Sequence, residues 1–150
     1  MKYVHTNIIS ENWQQLASFY TEVFQCQPVP PLRNQRGKWL DKGLGLSDAH
    51  LRGVHLRLPG WGDEGPTLEI YSYNRMAENL PTVPNRKGYG HLAFEVENVA
   101  TVLEKLLKHG GSKCGEISGK EVPGVGYITF VYAKDPEGNI IEIQHWDKSP

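Results

Sequence analysis

The chain has 150 residues, 16 Lys and Arg against 17 Asp and Glu, and 39% hydrophobic side chains, which fits one compact domain and leaves no room for a second of full size. With a net charge of −1 and no basic cluster longer than two residues, it lacks the footprint of a nucleic-acid binder. No run of 18 apolar residues is present and residues 1–9 carry no signal-like apolar stretch, so neither membrane insertion nor secretion is expected. Cys26 and Cys114, outside any C-x-x-C spacing, suit a reducing compartment, and the cytoplasm is the expected location.

Residues 3–9, rich in Tyr, Val, Thr and Ile, read as a strand. Asn12 then caps a helix whose apolar stripe is Trp13, Leu16, Ala17, Tyr20 and Phe24. Residues 28–52 hold Pro28, Pro30, Pro31, Gly37, Gly43 and Gly45, a composition of turns and breaks rather than of long regular elements, with one weak strand at 38–40. Arg33, Arg36 and Trp39 fall in this stretch, as exposed loop residues or as the mouth of a site. Residues 52–58 and 67–73 alternate as an antiparallel hairpin around the loop 60–66. In the second half, residues 89–96 form a strand with Leu92, Phe94 and Val96 on one face. Asn98 precedes a helix striped by Val99, Val102, Leu103 and Leu106, which Gly110-Gly111 ends and whose carbonyl end His109 suits as a positive charge. A weak strand at 113–117 and a hairpin of 127–133 with 140–146 complete the set. Residues 115–126, with four glycines and a proline, read as a plain hairpin connection more readily than as a lid carrying Lys120.

The two halves are copies of one unit. Tyr3-Val4-His5-Thr6 matches Tyr89-Gly90-His91-Leu92 at an offset of 86, and Glu11-Asn12 matches Glu97-Asn98 at the same offset. Leu68-Glu69-Ile70 matches Ile141-Glu142-Ile143 at an offset of 73, so the first copy holds 13 more residues, expected between positions 28 and 52. The expected fold is therefore α+β: two tandem βαβββ modules, about 1–75 and 87–147 of one domain spanning 1–150, that form a curved mixed sheet.

The same equivalences select His5 with His91 and Glu69 with Glu142, by a criterion that uses no metal chemistry. With six His and twelve Glu in the chain, finding those four types at four preset positions by chance has odds of about one in a hundred thousand, which argues against coincidence. Each lies on a strand between small or apolar neighbours that face the opposite way. Two imidazoles and two carboxylates suit a divalent Ni, Zn, Co, Mn or Fe ion, without selecting among them. Tyr71 and Tyr73 share the face of Glu69, Gln144 and Trp146 that of Glu142, and His55 and Arg57 alternate with apolar residues, so these six are the substrate-facing candidates, with Arg57 suited to an anionic group.

These residues resemble a family. His5-Thr6, Leu68-Glu69-Ile70, Tyr89-Gly90-His91-Leu92-Ala93-Phe94 and the run Asp135-Pro136-Glu137-Gly138-Asn139-Ile140-Ile141-Glu142 look like the vicinal oxygen chelate superfamily, the glyoxalase/bleomycin-resistance/dioxygenase group. The resemblance implies a divalent metal in a cup, a small substrate bound through adjacent oxygens, and a homodimer. It further implies a lyase, isomerase or epimerase that moves a proton, with Glu142 as base and Glu69 as the second acid/base. The alternatives are an extradiol-type dioxygenase or other metal-dependent transferase, and a non-catalytic binding or resistance protein. Bacterial lactoylglutathione lyases carry Arg four residues after the first His and Asn four after the first Glu, both used on glutathione. Here those places hold Ile9 and Tyr73.

Overall fold

A computed structural model describes residues 1–78 and 80–148. They divide into two compact units, 1–79 and 80–150. The first runs β1 (His5–Ile9), α1 (Trp13–Phe24), β2 (Gln27–Arg36), α2 (Lys38–Leu44), β3 (His50–Arg57) and β4 (Thr67–Tyr73). The second runs β5 (Leu92–Glu95), α3 (Val99–Lys108), β6 (Ser112–Lys113), β7 (Ser118–Val122), β8 (Gly126–Lys134) and β9 (Ile140–Lys148). Each unit has its own mixed sheet, β1-β4-β3-β2 in the first and β5-β9-β8-β6 in the second, with β7 also paired to β8. The α+β expectation and the repeated order of elements hold.

Both long helices begin as their sequences require. The Asn12 side chain accepts from the Gln15 amide at 3.1 Å and that of Asn98 from Thr101 at 2.9 Å, each satisfying a first-turn donor the helix leaves free. At the far end of α3 the His109 ring donates from Nδ1 to the Lys105 carbonyl at 2.8 Å, capping an acceptor that would otherwise lack a partner. Leu16, Phe19, Tyr20, Val23 and Phe24 of α1 are buried with Val54, Leu56, Leu68 and Ile70 of β3 and β4. In the second unit Val99, Leu103 and Leu106 of α3 are buried with Val131, Ala133, Ile141 and Ile143. One face of each sheet is thus closed by a helix, and the opposite face carries the polar alternates.

The strand register repeats with the sequence. Thr6 pairs with Leu68 in parallel, and Leu92 pairs with Ile141 in the same way. His55 lies opposite Glu69, and Tyr132 lies opposite Glu142. Even an irregularity is shared: β2 shifts register between Val29 and Arg33, and the matching edge of the second sheet breaks over residues 114–117 between Lys113 and Ser118. From these pairings the offset falls from 86 at β1 to 85 at β2, 77 at β3 and 73 at β4.

Two expectations are corrected here. Only eight of the thirteen extra residues lie between β2 and β3, four lie in the β3–β4 loop, and one precedes β2. The proline-rich stretch is not a series of breaks: residues 27–36 form a ten-residue strand, and residues 38–44, where a weak strand was expected, form α2. β2 is an edge strand, where a proline that cannot donate to the ladder is tolerated. The segment 118–122, within the stretch read as a hairpin connection, is itself a strand paired with β8.

Candidate metal and substrate site

In the first unit β4 sits between β1 and β3, so Glu69 has a neighbour strand on each side. Register puts Asn7 and His55 directly abreast of it, and His5 one same-face position along β1. His5 Nδ1 lies 3.4 Å from Glu69 Oε1 and His55 Nε2 lies 3.0 Å from that oxygen. The Tyr71 hydroxyl lies 2.6 Å from His55 Nε2, within electrostatic reach of Glu69. The carboxylate is 8% exposed, so these contacts replace the water it has lost. Burial pushes the Tyr71 phenol well above its ordinary range, with Glu69 adding to the effect, so it stays protonated. Burial likewise holds His55 below the usual histidine value, against the pull of Glu69 and helped by Arg33 and His5.

Gly53 makes this arrangement possible. It stands opposite Tyr71, and a Cβ there would come within 2.4 Å of the Tyr71 ring and 2.0 Å of the Ile70 carbonyl oxygen. The tyrosine ring occupies the space that any other residue at 53 would fill.

In the second unit His91 Nε2 lies 2.9 Å from Glu142 Oε2. The carboxylate side chain is 15% exposed and the imidazole 31%. Tyr132, abreast of Glu142, packs its ring on His91 with centroids 4.8 Å apart. Burial and then Glu142 raise its phenol pKa.

The structure thus brings His5 to Glu69 and His91 to Glu142. Among the described residues no group of three or more His, Cys, Asp and Glu side chains is spaced to hold a metal by itself. Each pair, taken by itself, has the spacing of two neighbouring ligands on one ion. Two ligands bound at about 2.1 Å lie roughly 3.0 Å apart at a right angle and roughly 3.4 Å apart at a tetrahedral one. The two His–Glu separations match those values.

The remaining candidates separate. Tyr71 and His55 stand at Glu69. Tyr73 packs instead against a small apolar cluster of Leu40, Ala49, Leu51 and Tyr71, through which α2 covers one end of the polar face. Arg57 shares the face but forms an ion pair with Asp63 of the β3–β4 loop. Gln144 and Trp146 follow Glu142 on its face, abreast of Phe130 and Ile128. Sequence reasoning missed Tyr132 as a site residue and Arg33 as a strand residue on the site face. Pairing Lys134 with Ile140 across the loop 135–139 would have found Tyr132. Nothing in the composition of β2 announced a strand.

The loop before Glu142 explains its own sequence. Asp135 is 2% exposed and accepts from the Glu137 and Asn139 amides, both at 2.9 Å, and from the Asn139 side chain at 2.8 Å. Gly138 takes φ +88°, which a side chain would strain. This motif shapes the turn that starts β9.

The model of the Glyoxalase/Bleomycin resistance protein/Dioxygenase superfamily matches residues 2–143. The chain belongs to that superfamily. It is 27% identical over 146 residues to a lactoylglutathione lyase of Escherichia coli O157:H7, covering 95% of this chain and 91% of that protein. A Salmonella typhimurium lactoylglutathione lyase shows the same identity over 144 residues, with the same shares of each chain. Among solved structures, a glyoxalase family protein from Bacillus cereus superposes with a TM-score of 0.77 at 21% identity, covering 97% of this chain and 93% of its own. A glyoxalase-related enzyme from Fulvimarina pelagi gives 0.56 at 21% identity, covering 97% and 88%. These superpositions establish the fold.

Proposed function

We propose that this superfamily member is a metal-dependent enzyme that binds a small substrate through adjacent oxygens and moves a proton beside a carbonyl, as a lyase, isomerase or epimerase. The observation that carries the reading is the pairing of His5 with Glu69 and of His91 with Glu142, at equivalent positions of the repeat and at ligand-to-ligand separations. The four residues would hold the ion, which when bound supplies Lewis acidity to the substrate's carbonyl oxygen and so acidifies the neighbouring C–H.

The chain divides the remaining work unequally. Glu69 is hemmed in, with His5 and His55 both on its Oε1 and Tyr71 beside it, so its carboxylate is fixed in place. The contacts at Glu142 are fewer, the His91 imidazole and the neighbouring Tyr132. Glu142, the less encumbered carboxylate, therefore takes the proton and returns it to the adjacent carbon in an isomerisation, while in an epimerisation Glu69 supplies the proton to the opposite face. Glu69 keeps its geometry and serves as the second acid/base. The lactoylglutathione lyases above suggest the reaction class, while Ile9 and Tyr73, which replace the glutathione-contacting Arg and Asn, point to another substrate.

The test is Glu142→Gln. An amide still coordinates through oxygen but is no base at neutral pH. Metal content by elemental analysis is expected to persist, while deuterium exchange at the substrate carbon falls by about a hundredfold or more. Near-full exchange with metal bound would transfer the role to Glu69. Oxygen consumption on catechols by an iron-loaded sample would replace the reading with a dioxygenase.

A further inference from the structure

Arg33 lies on the edge strand β2, abreast of Gly53, which is in turn abreast of Tyr71. Directly paired residues project from the same face of a sheet, so Arg33, Gly53 and Tyr71 form one row, and Val29, His55, Glu69 and Asn7 form the next. Because Gly53 contributes no side chain, the Tyr71 ring fills the gap, with its hydroxyl 2.6 Å from His55 Nε2 and within electrostatic reach of Arg33. Arg33 also donates to the Pro31 carbonyl. That bond engages one end of the guanidinium and leaves further N–H donors of its fork available.

The charge itself is unmatched. Among the described residues the ion pairs of Lys and Arg involve Lys2, Arg57, Arg75 and Lys113, and no carboxylate pairs with Arg33. Arg57, the other arginine of this face, has Asp63 as its counter-ion. Arg33 is only partly exposed, so its charge is neither buried with a partner nor free in solvent.

The structure assigns Arg33, together with the Tyr71 hydroxyl, as the subsite for an anionic group on the substrate, a carboxylate or a phosphate, one row along the sheet from Glu69. The assignment rests on the chelating site proposed above and specifies its substrate class: a small molecule whose adjacent oxygens are joined by a short spacer to an anion. Same-face rows lie about 7 Å apart along a strand, which limits that spacer to a few bonds. Bidentate geometry on a carboxylate or phosphate is what a preset arginine fork recognises best.

Two titrations test it. In metal-free protein carrying ¹⁵N-labelled arginine, succinate and inorganic phosphate are added separately while the Arg33 Nε–Hε signal is followed. Saturable movement with one of them supports the subsite and tells carboxylate from phosphate. In zinc-loaded protein, acetohydroxamate, a neutral ligand with two adjacent oxygens, is compared by calorimetry with N-hydroxysuccinamate, which adds a carboxylate, or with its phosphonate counterpart if phosphate moved the signal. The charged ligand is expected to bind roughly ten- to hundredfold tighter, and Arg33→Gln to erase that preference while acetohydroxamate affinity stays near wild type. An Arg33 signal that neither anion saturates overturns the assignment, as does a preference that survives Arg33→Gln. If neither hydroxamate binds the zinc-loaded protein, the chelation reading fails; a saturable Arg33 response in the metal-free sample then still supports the anion subsite.

Discussion

Gly53→Ala tests how the first half of the site is built. The added methyl would lie 2.0 Å from the Ile70 carbonyl oxygen and 2.4 Å from Tyr71 Cδ1. The first neighbour is backbone of an adjoining strand inside a four-stranded sheet and cannot withdraw without breaking the β3–β4 ladder. Overpacking of this kind costs about 1–3 kcal/mol, and a backbone clash puts it at the upper end. At roughly 2–4 °C per kcal/mol for a chain of this size, the melting temperature should fall by about 6–12 °C. Gly43→Ala is the matched control, because Gly43 lies within α2 with nothing within 4 Å of its built Cβ. Replacing glycine by alanine in a helix stabilises by roughly 0.5–1 kcal/mol, an expected gain of about 1–4 °C. Both variants are read by calorimetry and urea denaturation against wild type. A Gly53→Ala protein that melts with wild type would refute the claim that the tyrosine ring depends on an empty position at 53.

Asp135→Ala removes the acceptor for three N–H groups at a position 2% exposed, and should destabilise by about 3 kcal/mol in urea denaturation without altering metal stoichiometry; a change below about 0.5 kcal/mol would contradict the structural role of the motif. His145 donates to the Val96 carbonyl at 2.7 Å and lies 3.3 Å from Asp147, so its pKa is raised, chiefly by the backbone bond. Its folded value exceeds its unfolded one, so the stability it adds is present at low pH and is lost as pH rises through the folded value; an NMR titration midpoint at or below the ordinary histidine value of about 6.5 would contradict this. A homodimer is expected from the superfamily resemblance, consistent with exposed Trp39 and Trp61, and light scattering that reports a monomer at micromolar concentration would refute it.

What the sequence displayed and what it hid have a common cause. The repeat was readable because Glu69 and Glu142 sit on strands between buried apolar neighbours, while His5 and His91 stand at matching places at the start of each copy's opening strand. Leu68, Ile70, Ile141 and Ile143 are 0% exposed, and no drift in polarity is tolerated there. Both helix starts were readable because the Asn caps act within three residues of themselves. β2 was hidden because its stability comes from pairing with β3, not from its own residues: three prolines and five charged or amide side chains run along a solvent edge. Arg33 therefore passed for a loop residue, and the α2 cover over Tyr73 depends on contacts of Leu40 with β3 and β4 residues distant in sequence. Tyr132 was missed for a simpler reason, since the matching position of the first copy holds a different type, His55.

The shared interruption of the two outer strands has a consequence for solubility. An edge strand offers a ladder of unpaired amides and carbonyls to any other extended chain. β2 carries Pro28, Pro30 and Pro31, which have no N–H to offer, and its register slips across Pro30 and Pro31, between Val29 and Arg33. In the other unit the same edge is split into a two-residue and a five-residue piece. The opposite edges, β1 and β5, are five and four residues long. Every margin of both sheets is therefore too short or too irregular to template a long intermolecular ladder. In a duplicated β-rich chain, whose halves offer similar strands to one another, such margins oppose wrong pairing where a net charge of −1 supplies little repulsion.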